Sequence, residues 1–271
     1  MGQFVAHNIL FDDGTVTMPG RPTLLVDEPR CQATMRLLRA LWGADLAGSS
    51  IIDLGCLEGG YSVEFARAGM SVLGIEVRRN NFENCCYVQS RLSLPNLQFI
   101  HDDVWNLSDY GLHDIGFCCG LLYHLDEPRR FLRLLGSCVN KAVIVNTHFA
   151  PWRPEERMGL GKLSSHEGLP GRWIGEHEAT SHAERESLKL ASWNNRRSFW
   201  LTREGIIQAI KDAGFNLVLE QCDAAGVERY DQTVPTDEVL LKDLLSNERR
   251  TFLRSVFIGI RDNPVAPTAI G

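Results

Sequence analysis

The sequence predicts a doubly wound α/β protein, and three observations predict it. From residue 50 onward, short apolar runs alternate with segments of helical periodicity. The runs are continuously apolar rather than alternating, as strands of a parallel sheet covered on both faces are. The first run also passes through a glycine-rich turn straight into a helix, the βα unit from which such sheets are built. Seven strands are expected, mostly parallel, with helices on both faces.

The elements follow in order. Ile9 and Phe11, then Asp13-Gly14, then Val16 and Met18 read as a hairpin around a D-G turn. Residues 30–43 carry Met35, Leu37, Leu38, Leu41 and Trp42 at helical spacing and end at Gly43. Strands are expected at 50–54, 71–77, 97–104, 114–122 and 142–147, with helices at 61–68 and 79–91 between the first three. A helix after residue 125 has Asp126 as its expected N-cap, Pro128 in its first turn, and Phe131, Leu132, Leu134 and Leu135 on its apolar face. Thr202 is expected to cap a helix bearing Ile206, Ile207 and Ile210, and strands at 217–222 and 255–260 complete the set. This divides the chain into an N-terminal extension (1–48), a first α/β half (49–149), an insertion (150–200) and a C-terminal part (201–271). The insertion is too long for an ordinary connection and reads as a lid over a substrate.

Composition sets outer bounds. The chain has 271 residues, 44% of them hydrophobic, enough for a full core. A formal net charge of -6 argues against a phosphate-tracking surface, so nucleic acid is not the expected partner. No apolar run reaches a membrane span, and the N-terminal stretch lacks the basic and apolar regions of a secretion signal. Ala6 breaks the myristoylation pattern. Eight cysteines without a C-x-x-C read as small buried hydrophobes rather than disulfides or a zinc site. A cytoplasmic protein is expected, its oligomeric state open and a homo-oligomer among the options.

The segment Ile51 to Gly69, IIDLGCLEGGYSVEFARAG, carries the chemistry. Gly55 and Gly59 let backbone approach a ligand, and the following helix start offers N–H groups to an anion. The next strand ends at Glu76, where a carboxylate can accept both hydroxyls of a ribose. An adenosine-containing cofactor is the expectation. The nicotinamide fingerprint G-x-G-x-x-G fails here, since the turn reads Gly55-Cys56-Leu57-Glu58-Gly59-Gly60.

The turn instead resembles the first motif of the class I S-adenosylmethionine-dependent methyltransferases, with Asp53, Gly55 and Gly59 matching and Leu57 replacing the middle glycine. FIHDDV resembles the motif ending the third strand, with Asp103 in the place of the acid that accepts from the adenine amino group and Val104 beside it. HDIGFCCGLLYHLDEP resembles the fourth-strand motif, which implies Gly120 and Leu121 next to the methionine moiety. TREGIIQAIKDAGF resembles the late helix. The resemblance covers about residues 45–150 and 200–262 and implies strand order 3-2-1-4-5-7-6. It implies S-adenosyl-L-methionine as cofactor, held by Asp53, Gly55, Cys56, Gly59, Glu76, Asp103, Val104, Gly120 and Leu121.

Methyl transfer to oxygen is an in-line displacement that also needs a base for the hydroxyl proton. His124 and His148 follow the fourth and fifth strands, at carboxyl ends where open α/β sheets bind ligands, and are the candidate catalytic bases. Tyr123 is expected as a pocket wall. Trp193, Asn194, Arg197 and Trp200 combine aromatic faces with amide and guanidinium donors, a set suited to a sugar-like acceptor. His166, Glu167, Glu176, His177, Glu178 and His182 could serve a divalent cation such as Mg2+, but no tight ligand spacing supports one. The expected activity is O-methylation of a small-molecule hydroxyl, a sugar or oligosaccharide first. A tRNA or protein methyltransferase, a nicotinamide oxidoreductase and a non-catalytic methyltransferase-like subunit are the alternatives.

Overall fold

The computed structural model describes residues 3–153, 159–221 and 253–262. Six α-helices are described: α1 (Pro29–Trp42), α2 (Gly60–Arg67), α3 (Arg79–Ser90), α4 (Pro128–Cys138), α5 (His182–Ser187) and α6 (Arg203–Asp212). The strands are β1 (Ser50–Leu54), β2 (Ser71–Glu76), β3 (Leu97–His101), β4 (His113–Cys119), β5 (Val139–His148), β6 (Ser164–His166), β7 (Leu169–Gly175), β8 (Arg197–Leu201), β9 (Leu217–Gln221) and β10 (Arg254–Ile260).

Seven strands form one sheet in the order β3-β2-β1-β4-β5-β10-β9, while β6-β7-β8 form a separate three-stranded sheet. Once those three are set aside, the order is the expected 3-2-1-4-5-7-6. β1/β2, β2/β3 and β4/β5 pair in parallel, and β10 runs antiparallel to β5. The chain is thus an α/β protein of Rossmann-like topology. Among the described residues no helix is long and apolar enough to cross a membrane.

The chain forms two compact units, Met1–Asp102 with Gln221–Phe252, and Asp103–Glu220 with Leu253–Gly271. In the first, Ile51, Ile52 and Leu54 of β1 and Val63 and Phe65 of α2 are all fully buried. Such apolar residues on consecutive elements are what hold a βαβ layer together. In the second, Phe131 and Leu135 on α4, Ile144 and Val145 on β5, and Phe257 on β10 are likewise fully buried.

Four local expectations need correction. The N-terminal hairpin is a turn with one bridge, Leu10 to Val16, because only Phe11 and Thr17 N–H reach backbone carbonyls across it, of Thr15 and Ile9, while Ile9 N–H goes to the Thr17 side chain and Val5 N–H to Glu58. The third strand ends at His101, and Val104 opens a 3-10 turn that Asp103 caps by accepting from the Trp105 N–H at 3.1 Å. The fourth strand ends at Cys119, and Leu122 begins a short 3-10 turn. Asp126 is not the N-cap of α4. Glu127 stands there without a side-chain cap bond, and the Glu167 carboxylate from the β6–β7 turn takes the N–H groups of Arg129 and Arg130 at 2.8 Å each. A carboxylate delivered from elsewhere in the chain satisfies the orphan donors and the helix dipole together. The cap of α6 is as expected, with Thr202 Oγ1 accepting from Gly205 N–H at 3.1 Å.

Candidate active site

In the first unit the site is the turn between β1 and α2. Gly55, Leu57 and Gly59 all take left-handed backbone, at φ 65, 56 and 76. Leu57 therefore keeps the conformation a glycine would hold, at a cost of about 1–2 kcal/mol. Tertiary bonds enforce it: Leu57 N–H donates to Glu76 Oε2 at 3.0 Å, and Cys85 Sγ donates to the Leu57 carbonyl at 3.3 Å. Gly59 is required for a second reason, since a Cβ there would stand 2.5 Å from Cζ of Phe99. Gly59→Ala combines that overlap with left-handed strain and should destabilise the protein by roughly 2–4 kcal/mol, read as a shift in the urea midpoint.

Asp53 lies beneath the turn, 3% exposed, and accepts from Ser62 Oγ at 2.6 Å, tying β1 to α2. Glu76 is 4% exposed and accepts from the backbone N–H groups of Leu57 and Arg78. The Cys56 side chain turns away toward Cys85, sulfur to sulfur 3.9 Å, so its contribution to the turn is its backbone.

Burial pushes the Asp53 carboxyl up to about 7, opposed by its Ser62 bond and reinforced by the Glu76 charge. Burial likewise pushes Glu76 up to about 7, against the bonds from Arg78 and Leu57 and the Arg78 charge. Both folded values lie above the ordinary carboxylate values of 3.8 and 4.5. The folded state therefore binds more protons across that interval. Its extra stability is full below about pH 4 and is lost as pH rises through about 7. The ligand-free protein should melt at a higher temperature at pH 5 than at pH 8. A ribose donating to Glu76 favours the ionised form, so S-adenosylhomocysteine should bind about tenfold more tightly at pH 8 than at pH 6. A binding constant flat across that range would remove Glu76 from the ribose.

The expectation that the start of α2 offers its N–H groups to the cofactor needs revision. His7 Nδ1 accepts from Gly60 N–H at 3.0 Å, and Ser62 N–H is turned to Asp53. Burial, then Arg21, pushes His7 down to about 4, which keeps its ring neutral and able to accept. Glu58, fully buried, accepts from the N–H groups of Val5, Ala6 and His7 and so seats the arm on the turn. Sequence reasoning missed His7 and Glu58. Only an acid inside a glycine turn hinted at the second.

The second unit brings together Tyr123, His124, His148 and Trp200. Tyr123 is 4.3 Å from the His124 ring, 4.7 Å from His148 and 5.9 Å from Trp200, measured between centroids. His148 and Trp200 stack at 4.8 Å with a 10° interplanar angle. Trp200 Nε1 donates to the Tyr123 carbonyl at 2.8 Å, which fixes this wall. Gly120 takes φ 80 next to the cluster, with Tyr123 Oη 3.6 Å from where its Cβ would be, and Leu121 is the N-cap of the turn that carries Tyr123 and His124.

The two histidines have different settings. His124 Nδ1 lies 2.9 and 3.1 Å from the two Glu176 oxygens. Glu176 in turn accepts from Ser198 Oγ at 2.6 Å and Ser192 N–H at 3.2 Å. Burial raises the Glu176 carboxyl, but the His124 bond and charge and the Ser198 and Ser192 bonds outweigh it and hold the group below its ordinary value. An ionised carboxylate there keeps the proton on Nδ1 and points Nε2 away as an acceptor. His148 instead donates from Nδ1 to the Leu253 carbonyl at 3.0 Å.

Alternation along β8 sorts the other expected residues. Ser198 and Trp200 serve this cluster, while Arg197 lies 4.1 Å over the Trp173 ring on the opposite face. Trp193 joins His182 and Arg185 in a separate contact, and Asn194 is exposed. The histidines and acids once grouped as metal candidates are dispersed: Glu176 on His124, His177 on the Ser192 carbonyl, Glu167 on α4, and His166 against Trp173 and Phe199. Among the described residues no three His, Cys, Asp or Glu side chains form a metal-binding set.

A family described as "Methyltransferase domain" matches residues 27–220, most of the chain. The chain belongs to the class I S-adenosylmethionine-dependent methyltransferases. The methyltransferase shares 30% identity over 134 residues with a tRNA U34 carboxymethyltransferase of Campylobacter hominis, 46% of this chain and 47% of that one. It thus spans about half the length of that curated relative. Its fold is similar to the N-terminal domain of EvdMO1 crystallised in the presence of S-adenosylhomocysteine (SAH) and D-fucose, with TM-score 0.65, 21% identity, and 94% and 90% of the two chains covered. A putative S-adenosylmethionine-dependent methyltransferase from Listeria monocytogenes is similar at TM-score 0.51 and 14% identity, covering 86% of this methyltransferase and 99% of that chain. S-adenosylmethionine is the cofactor of the methyltransferase.

Proposed function

We propose that this methyltransferase moves a methyl group to a hydroxyl of a sugar-like small molecule, with His124 as general base. The observation that carries the reading is the Ser198–Glu176–His124 series of hydrogen bonds. As the acceptor oxygen attacks the methyl carbon, its proton passes to His124 Nε2. The sulfur–methyl bond breaks with its electron pair remaining on sulfur, which turns the sulfonium into a neutral thioether. Glu176 stays ionised and stabilises the imidazolium that forms. Tyr123, His148 and Trp200 supply the aromatic faces against which a sugar ring packs. We place Glu76 on the ribose, Asp103 and Val104 at the adenine, and Gly120 and Leu121 beside the methionine. Residues 150–200 then act as the acceptor-side insertion, since they contribute Glu176, Ser198 and Trp200. Among the described residues seven cysteines are free, which supports a reducing, cytoplasmic compartment.

Crystallisation of the EvdMO1 domain in the presence of D-fucose supports a sugar acceptor. The tRNA relative supports a second reading, but a nucleic-acid substrate calls for a basic surface, and the chain carries -6. Radiolabelled S-adenosylmethionine offered with D-fucose, a panel of acidic and neutral sugars, and bulk tRNA tests both. Label in a sugar fraction is expected. Label in tRNA alone would overturn the sugar reading.

A further inference from the structure

The methyl-transfer chemistry leaves one charged side chain beside the aromatic cluster unused. Arg254, the first residue of β10, stands opposite His148 on β5. Its Nε–H donates to Asn146 Oδ1 at 2.7 Å, and Asn146, 3% exposed, fixes the guanidinium by that one donor. The group extends over Tyr123, Cζ 5.5 Å from the ring centroid, and Nη2 reaches to 3.7 Å from where a Cβ on Gly120 would stand. Two other arginines of this unit are neutralised: Arg129 pairs with Asp212 and Arg203 with Glu220. Among the described residues no carboxylate lies within ion-pair distance of Arg254. A half-buried guanidinium held at Nε presents its two Nη groups as parallel donors, the geometry that a carboxylate or phosphate accepts in bidentate fashion. Among the described residues no counter-charge offsets the desolvation of this cation, and an arriving anion would do so.

We infer that Arg254 determines acceptor specificity by binding an anionic group of the acceptor, a carboxylate or phosphate, so that the substrate is an acidic sugar. The sugar part rests on the proposed function; the anion part stands on the geometry of Arg254 itself. Asn146 is then a positioning residue, setting the plane of the guanidinium.

D-galacturonate and D-fucose make a matched pair of probes, because they share the galacto ring and differ at C6 in carboxylate against methyl. Calorimetry on the SAH-loaded protein should show D-galacturonate binding at least tenfold more tightly than D-fucose. Arg254→Gln should abolish the difference, and Arg254→Lys, which keeps a charge but loses the fork, should recover it in part. Partial recovery in the lysine variant, with unchanged melting temperatures, assigns the loss to the guanidinium rather than to misfolding. Inorganic phosphate is the third probe. If it binds the wild type, is lost in Arg254→Gln, and neither sugar binds, the anion site holds and the sugar reading fails. If neither phosphate nor D-galacturonate responds to Arg254, the proposal is overturned. It is also overturned if Arg254→Gln weakens SAH tenfold while 5′-methylthioadenosine, which has no carboxylate, binds as before. The anion would then be the cofactor's own.

Discussion

Replacing Glu76 with alanine should weaken S-adenosylhomocysteine binding at least tenfold. Two ribose hydroxyls donating to one carboxylate form charge-assisted bonds worth about 1.5–3 kcal/mol each, and tenfold corresponds to about 1.4 kcal/mol. The loss reaches further, because Glu76 also accepts from Leu57 and Arg78 backbone N–H groups. Without the first of these, left-handed Leu57 keeps the Cys85 bond at its carbonyl but loses the one at its N–H, and the turn relaxes toward backbone that leucine prefers. Glu76→Gln separates the two effects. Its amide oxygen can still accept from one backbone donor, while its NH2 faces a ribose hydroxyl that must now reverse its bond. Titration calorimetry should rank wild type above Gln and Gln above Ala. An unchanged dissociation constant in both variants would take the ribose away from Glu76.

The fold was legible because its signals are local and repeated. Continuous apolar runs such as 142–145 in β5 read as inner strands, and Thr202 and Pro128 mark helix starts by their own chemistry. What escaped the sequence are bonds between segments far apart in the chain. Glu167 caps α4 from 38 residues away, and Glu58 holds Val5 from 53 residues away. Nothing in either neighbourhood announces such a partner. The insertion shows the same division. Its histidines and acids were visible as a group, yet the chemistry depended on which one reached His124. That was set by β7 ending where it delivers Glu176 and by the alternation of β8, which turns Ser198 and Trp200 to one face and Arg197 to the other. Period-two geometry decides such sorting only once the strand's register is known.

His124→Ala should lower kcat by two orders of magnitude or more while S-adenosylhomocysteine binds within about twofold of wild type, since a general base contributes 10²–10⁴-fold to rate and nothing to cofactor binding. Glu176→Gln should fall between, because the amide can still accept from Nδ1–H but no longer carries the charge that stabilises the imidazolium. Its distinguishing mark is a kcat-against-KM split: losing the charge 2.9 Å from Nδ1 should lower kcat while KM for the acceptor and the affinity for S-adenosylhomocysteine stay near wild type. A purely structural role for Glu176 would instead raise KM along with the fall in rate. His148→Ala is the comparison. Its ring stacks on Trp200 and its Nδ1 is bound to the Leu253 carbonyl, so its removal should raise KM for the acceptor more than it lowers kcat. Activity that survives His124→Ala and collapses in His148→Ala would exchange the two roles. Full activity in both would mean that the acceptor hydroxyl loses its proton to water after the methyl has moved, and that the site works by alignment alone.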